Sequence, residues 1–91
     1  MSPPSARADG EPLRYREVAR GGLDSILRLC GAGEWAAAAD EARGLKRVFA
    51  EASVVFGPVP AEVFDGVLAA CLARDPDELG DFAELVVEIF P

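Results

Sequence analysis

Trp35, Ala42, Phe49 and Phe56 stand seven residues apart, and Ala38, Leu45 and Ala52 fill the intermediate positions. This a/d heptad, sustained over three repeats, constrains the segment to a helix with one continuous apolar seam. Its polar face carries Asp40, Glu41, Arg43, Lys46, Arg47 and Glu51. Asp40 with Arg43, and Arg47 with Glu51, are spaced to pair on the surface for roughly 0.2–0.5 kcal/mol each. A free-standing coiled coil would use a longer run with fewer alanines at the d-like positions, so the seam reads as the core of a helical bundle. Gly57-Pro58 closes the segment.

The rest of the chain has the same period. Residues 1–11 are rich in Pro, Ser and Ala with nothing to bury, and are expected to form a disordered tail. Pro12 suits a first helical position. Gly21-Gly22 costs a helix interior about 2 kcal/mol relative to Ala, which predicts a kink or break there. Leu23, Ile26, Leu27 and Cys30 then form an apolar stripe that stops at Gly31-Ala32-Gly33. A third helix opens at Pro60 and Glu62 and buries Val63, Phe64, Val67, Leu68, Cys71 and Leu72; Gly66 within it leaves room for close approach by another helix. Asp75, Pro76 and Glu78 match a cap, a first helical residue and an acid three positions after the cap. The last helix runs from Pro76 to Ile89, with Leu79, Phe82, Val86 and Ile89 as its stripe, widened by Ala83, Leu85 and Phe90. The β-favouring clusters at 53–56 and 86–90 continue helical stripes and are read as helix. The expected fold is all-α, a small four-helix bundle or two stacked helical hairpins over residues 12–91, a single domain.

The stretch from Ile26 to Leu45 resembles the middle of a tetratricopeptide repeat hairpin. Gly33, Trp35 and Ala38 match that family's small residue, aromatic and alanine. Ala42 stands where a larger aromatic is common, and the family's Gly and Tyr are absent at Ile26 and Leu29. The resemblance covers one hairpin without a second copy, whereas solenoids stack several repeats. It implies a helix–turn–helix at Gly31–Gly33 and hints at peptide or protein binding.

Chemistry is harder to find. The chain has no His, which removes the usual general base and the commonest metal ligand. Ser25, Ser53, Cys30 and Cys71 sit in no nucleophile motif, and only Asp, Glu, Lys46 or Tyr15 could serve as a base. Asp77 with Glu78, and Asp81 with Glu84, read as solvated partners of a helix dipole rather than a catalytic pair. The glycines at 21, 22, 31 and 33 lack phosphate-loop spacing, and Asp75, Asp77 and Asp81 lack that of a calcium loop. No enzyme activity, cofactor or metal is expected. Cys30 and Cys71 read as buried thiols acting as small hydrophobes, with a disulfide between the first and third helices as the alternative.

The net charge of −7 is unevenly placed. Residues 1–33 carry net +1 and residues 34–60 net −1; residues 61–91 set Arg74 alone against eight acids. Such a surface argues against direct nucleic-acid binding. The absence of an apolar leader or a long apolar run argues against the membrane, so a cytoplasmic location is expected. The surface is either solubilising or a dock for a basic protein face. The leading expectation is a non-enzymatic protein–protein interaction module, an adaptor or a small subunit of a complex. Its docking face is expected on the last two helices, with apolar Leu79, Phe82, Val86 and Phe90 beside acidic Glu78, Asp81, Glu84 and Glu88. A second copy, giving a homodimer or larger homo-oligomer, is one such partner. The rival expectation is an acidic inhibitor, of antitoxin, immunity or viral type, that blocks a basic nucleic-acid-handling protein.

Overall fold

The computed structural model describes residues 4–91, with side chains from residue 14 onward. Residues 1–3 of the tail expected over 1–11 lie outside the described residues, and the helix start expected at Pro12 is corrected, because the first helix already runs from Pro4. Five helices follow in order: α1 (Pro4–Gly31), α2 (Trp35–Glu51), α3 (Ser53–Phe56), α4 (Val59–Ala73) and α5 (Pro76–Ile89). The described residues contain no strand; the β-favouring cluster at 53–56 is helical, and that at 86–90 is helical as far as Ile89. The protein is a small all-α bundle. α2 lies between α1 and α4, α5 packs on α4, and a lighter contact returns α5 to α1. The four long helices thus form a closed ring, in which α1 and α4 face each other across a diagonal.

The heptad forms the centre of this ring. Ala38, Ala42, Leu45, Phe49 and Ala52 are buried, while Trp35 and Phe56 close the seam half-buried at its two ends. Phe49 is the hub of an aromatic cluster. Its ring stacks on Phe64 at 5.2 Å and meets Tyr15, Phe56 and Phe90 at tilted angles. Such pairs add about 0.5–1.5 kcal/mol each beyond the area they bury. The seam is not one helix throughout. α2 ends at Glu51, and Phe56 is delivered by the single turn α3 after Ala52 leaves helical geometry at φ −88°, ψ 11°. The β-branched pair Val54-Val55 is exposed there and gains nothing from continuing the longer helix.

The break expected at Gly21-Gly22 does not occur, and α1 runs through both glycines to Gly31. Ala19, Leu23 and Ile26 are buried on either side of the pair and hold the helix against α2. A Cβ on Gly22 would lie 2.6 Å from Leu45 Cδ1, so this glycine makes room for the Leu45 side chain of α2. Gly66 does the same between α4 and α5, where a Cβ would land on the Phe82 ring.

The helix ends follow from local chemistry. At the end of α1, Gly33 takes φ +80° and the Glu34 amide donates to the Leu29 carbonyl at 2.8 Å, closing a Schellman turn. α4 ends by the same bond pattern without a glycine. Arg74 adopts the left-handed conformation at φ 53°, ψ 46°, and the Asp75 amide donates to the Ala70 carbonyl at 3.0 Å. α5 starts as its sequence predicts: Asp75 Oδ1 accepts from the amides of Asp77 and Glu78 at 3.1 and 3.2 Å, and Pro76 occupies the first turn.

Candidate functional site

α5 is apolar over most of its circumference, so the partners it meets decide which part is buried. Leu79, Val86 and Phe90 face the core and are at most 5% exposed. Phe82 is half-buried over Gly66. The apolar half of the expected docking face is therefore interior, and that expectation is corrected. Phe90 completes the aromatic cluster around Phe49, and Leu79 and Val86 belong to the same core. The acidic half stays outside: Glu78, Asp81 and Glu84 are all exposed.

The apolar surface left over lies elsewhere on α5 and on the helix beside it. Val87 is 41% exposed and Leu27 of α1 is 40% exposed. Together with Leu23 and Ala83 they line an open groove of about 420 Å³ between α1 and α5. Its rim holds Asp24, Glu84 and Glu88 against one cation, Arg20. Arg20 is already engaged, because its Nη1 donates to the carbonyls of Phe90 and Pro91 at 3.0 and 3.3 Å. Arg16 Nη2 adds a bond to the Pro91 carbonyl at 2.8 Å. α5 has no basic residue in its own last turn, so two arginines of α1 supply the positive charge favoured at a helix C-terminal end.

The acids are in a different position. Asp77, Asp81, Glu84 and Glu88 follow i, i+4, i+7, i+11 spacing and form one row along α5. Among the described residues the ion pairs are Arg43–Asp40 at 2.7 Å and Lys46–Asp65 at 2.8 Å, so none involves an acid of α5. A second open groove, between α1 and α2, is lined by Leu29, Ala37, Gly44 and Val48 with Asp40 and Glu41. There Asp40 is paired with Arg43, and Glu41 accepts from the Ser25 hydroxyl at 3.4 Å. The α1–α5 groove combines exposed apolar walls with three carboxylates, Asp24, Glu84 and Glu88, none of which has an ion-pair partner among the described residues.

Leu27, Ala83 and Asp24 thus join Glu84 and Glu88 at the groove although sequence reasoning did not place them in a docking face. The available signal was the width of two stripes. Leu27 sits at the edge of the α1 stripe and Val87 at the edge of the α5 stripe, where side chains reach a helix's border with solvent. Cys30 of α1 and Cys71 of α4 lie outside the groove, facing each other across the bundle diagonal. Both are free thiols, with Cys30 half-buried and Cys71 buried. No group of three or more potential metal ligands occurs among the described residues, and no helix among them is long and apolar enough to cross a membrane.

No protein-family model, curated protein or solved structure matches this chain.

Proposed function

We propose that the chain is a helical docking module whose α1–α5 groove receives an amphipathic helix of a protein partner. The partner's apolar ridge would sit on Leu27, Ala83 and Val87, and lysines or arginines beside that ridge would meet Asp24, Glu84 and Glu88. One observation carries this reading: open apolar walls lie beside a row of acids that form no ion pair among the described residues. Helix-in-groove recognition uses an apolar ridge for affinity, while charge complementarity governs encounter rate and partner choice. Asp77 and Asp81 extend the same negative field toward the N-terminal end of α5.

The acidic row also favours a second reading, an inhibitor that covers the basic face of a nucleic-acid-handling protein. A flat basic face would need the carboxylates but not Leu27 or Val87. The two readings separate on a pair of variants tested against a synthetic leucine–lysine helix. Helix docking predicts that Leu27→Ser and Glu84→Lys each weaken binding. Face covering predicts that Glu84→Lys alone does so. In both, binding weakens as salt rises, and salt-independent binding would sink both.

A further inference from the structure

The side chains of Cys30, in the last turn of α1, and Cys71, near the end of α4, point at each other with their sulfurs 3.9 Å apart. They share an S–H···S hydrogen bond in which either sulfur can donate. Their helices face each other across the diagonal of the bundle, and each packs mainly on α2 or α5. A disulfide needs the sulfurs at about 2.05 Å, so each would move by about 1 Å, within reach of small side-chain rotations. Gly31, beside Cys30, has open space where a Cβ would be, and Gly33 holds the turn that follows.

Access to the two thiols is unequal. Cys30 is half-buried, whereas Cys71 is 1% exposed and forms one wall of a cavity of about 130 Å³ with Trp35, Ala36, Leu72 and Arg74. Cys30 does not line this pocket and is the more exposed of the pair. We propose that Cys30 and Cys71 form a reversible oxidation site that takes a small hydroperoxide and ends in an intramolecular disulfide linking α1 to α4.

The chemistry runs in two balanced steps. The accessible Cys30 thiolate attacks the peroxide, the O–O bond breaks, and Cys30 becomes a sulfenic acid as one water is released. The Cys71 sulfur then attacks the Cys30 sulfur, the S–O bond breaks, and the departing oxygen leaves as a second water with the Cys71 proton. Two thiols lose two electrons, which reduce one peroxide to two waters. The order of attack follows from the surroundings. Burial first, then the neighbouring Cys30 charge and hydrogen bond, push the Cys71 thiol up to about 12. Cys71 is therefore a poor first nucleophile, and conversion of Cys30 to a neutral sulfenic acid removes the opposing charge at the moment Cys71 must react.

The test treats the folded, reduced chain with hydrogen peroxide in native buffer and reads mass, peptide linkage and thermal midpoint. The expected product is a monomer lighter by the mass of two hydrogen atoms, with Cys30 and Cys71 in one linked peptide. Its thermal midpoint is raised, and dithiothreitol reverses every change. Cys30→Ser gives no linked product. Three results would overturn the proposal: Cys30 stopping at a sulfinic acid with Cys71 still reduced, dimers joined through Cys30, or a linkage that forms only in urea.

Discussion

The ring centroid of Phe90 lies 5.1 Å from that of Phe49, tying the residue after α5 to the middle of the α2 seam. Phe90 also meets Phe56 edge-on at 5.7 Å, and the carbonyl beside its ring is held by Arg20. These contacts rotate α5 so that Leu79, Val86 and Phe90 turn inward and Val87 turns out. The walls of the proposed docking groove are set by that rotation.

The first prediction separates core from groove. Phe90→Ala removes a buried ring and is expected to cost about 3–5 kcal/mol of unfolding free energy. Val87→Ser removes a side chain already in contact with water and is expected to cost less than about 1 kcal/mol. Urea denaturation of both variants checks the contrast, and equal losses would mean that α5 presents a different face.

Two glycines with similar helical settings should respond in opposite directions. Gly66→Ala drives a methyl into the Phe82 ring and is expected to destabilise by about 1–3 kcal/mol. Gly80 has nothing within 4 Å of the position a Cβ would take. Gly80→Ala there is expected to stabilise by about 0.5–1 kcal/mol through helix propensity. Thermal melts of the two variants give the signs directly.

The α4–α5 connection offers a paired test. Asp75→Ala strips the bonds to the Asp77 and Glu78 amides and is expected to cost about 1 kcal/mol. Arg74→Gly relieves a left-handed backbone at φ 53° and is expected to gain up to about 1 kcal/mol. A double mutant lying well away from the sum of the singles would show that the two residues act as one capping unit.

Much of this architecture is legible in the chain. The seam from Ala38 to Phe49 follows from its spacing, the stop at Gly33 from a glycine where φ is positive, and the cap at Asp75 from three adjacent residues. Gly66 announces a close approach because a gap in an apolar stripe must be filled from the other side. The remainder depends on distant partners. A helix apolar over most of its surface does not reveal which edge it buries, and α5 is oriented by Phe49 and Arg20, far away in sequence. Gly21-Gly22 reads locally as a break, yet α1 continues because Ala19, Leu23 and Ile26 are buried on either side of it, and Leu45 fills the space left at Gly22. Arg74 carries no mark of its left-handed backbone, since no glycine stands there.

The buried thiol predicts a pH effect with a defined sign. Cys71 titrates near 9 when unfolded and about 12 in the fold, chiefly because burial disfavours its thiolate. Its raised value gives a contribution fully present below pH 9 and lost as pH rises toward 12, because the unfolded state releases this proton first. Stability of the reduced protein should therefore fall with pH above 9 more steeply than that of Cys71→Ala. Parallel slopes in urea titrations of the two proteins would remove the effect.

The groove itself is tested most directly by amide chemical-shift mapping of the isotope-labelled chain during titration with a synthetic helix of leucine and lysine, its leucines on one face. The account predicts shifts concentrated between Leu23 and Leu27 and between Ala83 and Glu88, with binding weakened at least about tenfold by Val87→Lys. Shifts gathered instead at the exposed Val54, Val55 and Val59 corner, or equal binding by a helix with glutamates in place of its lysines, would contradict it.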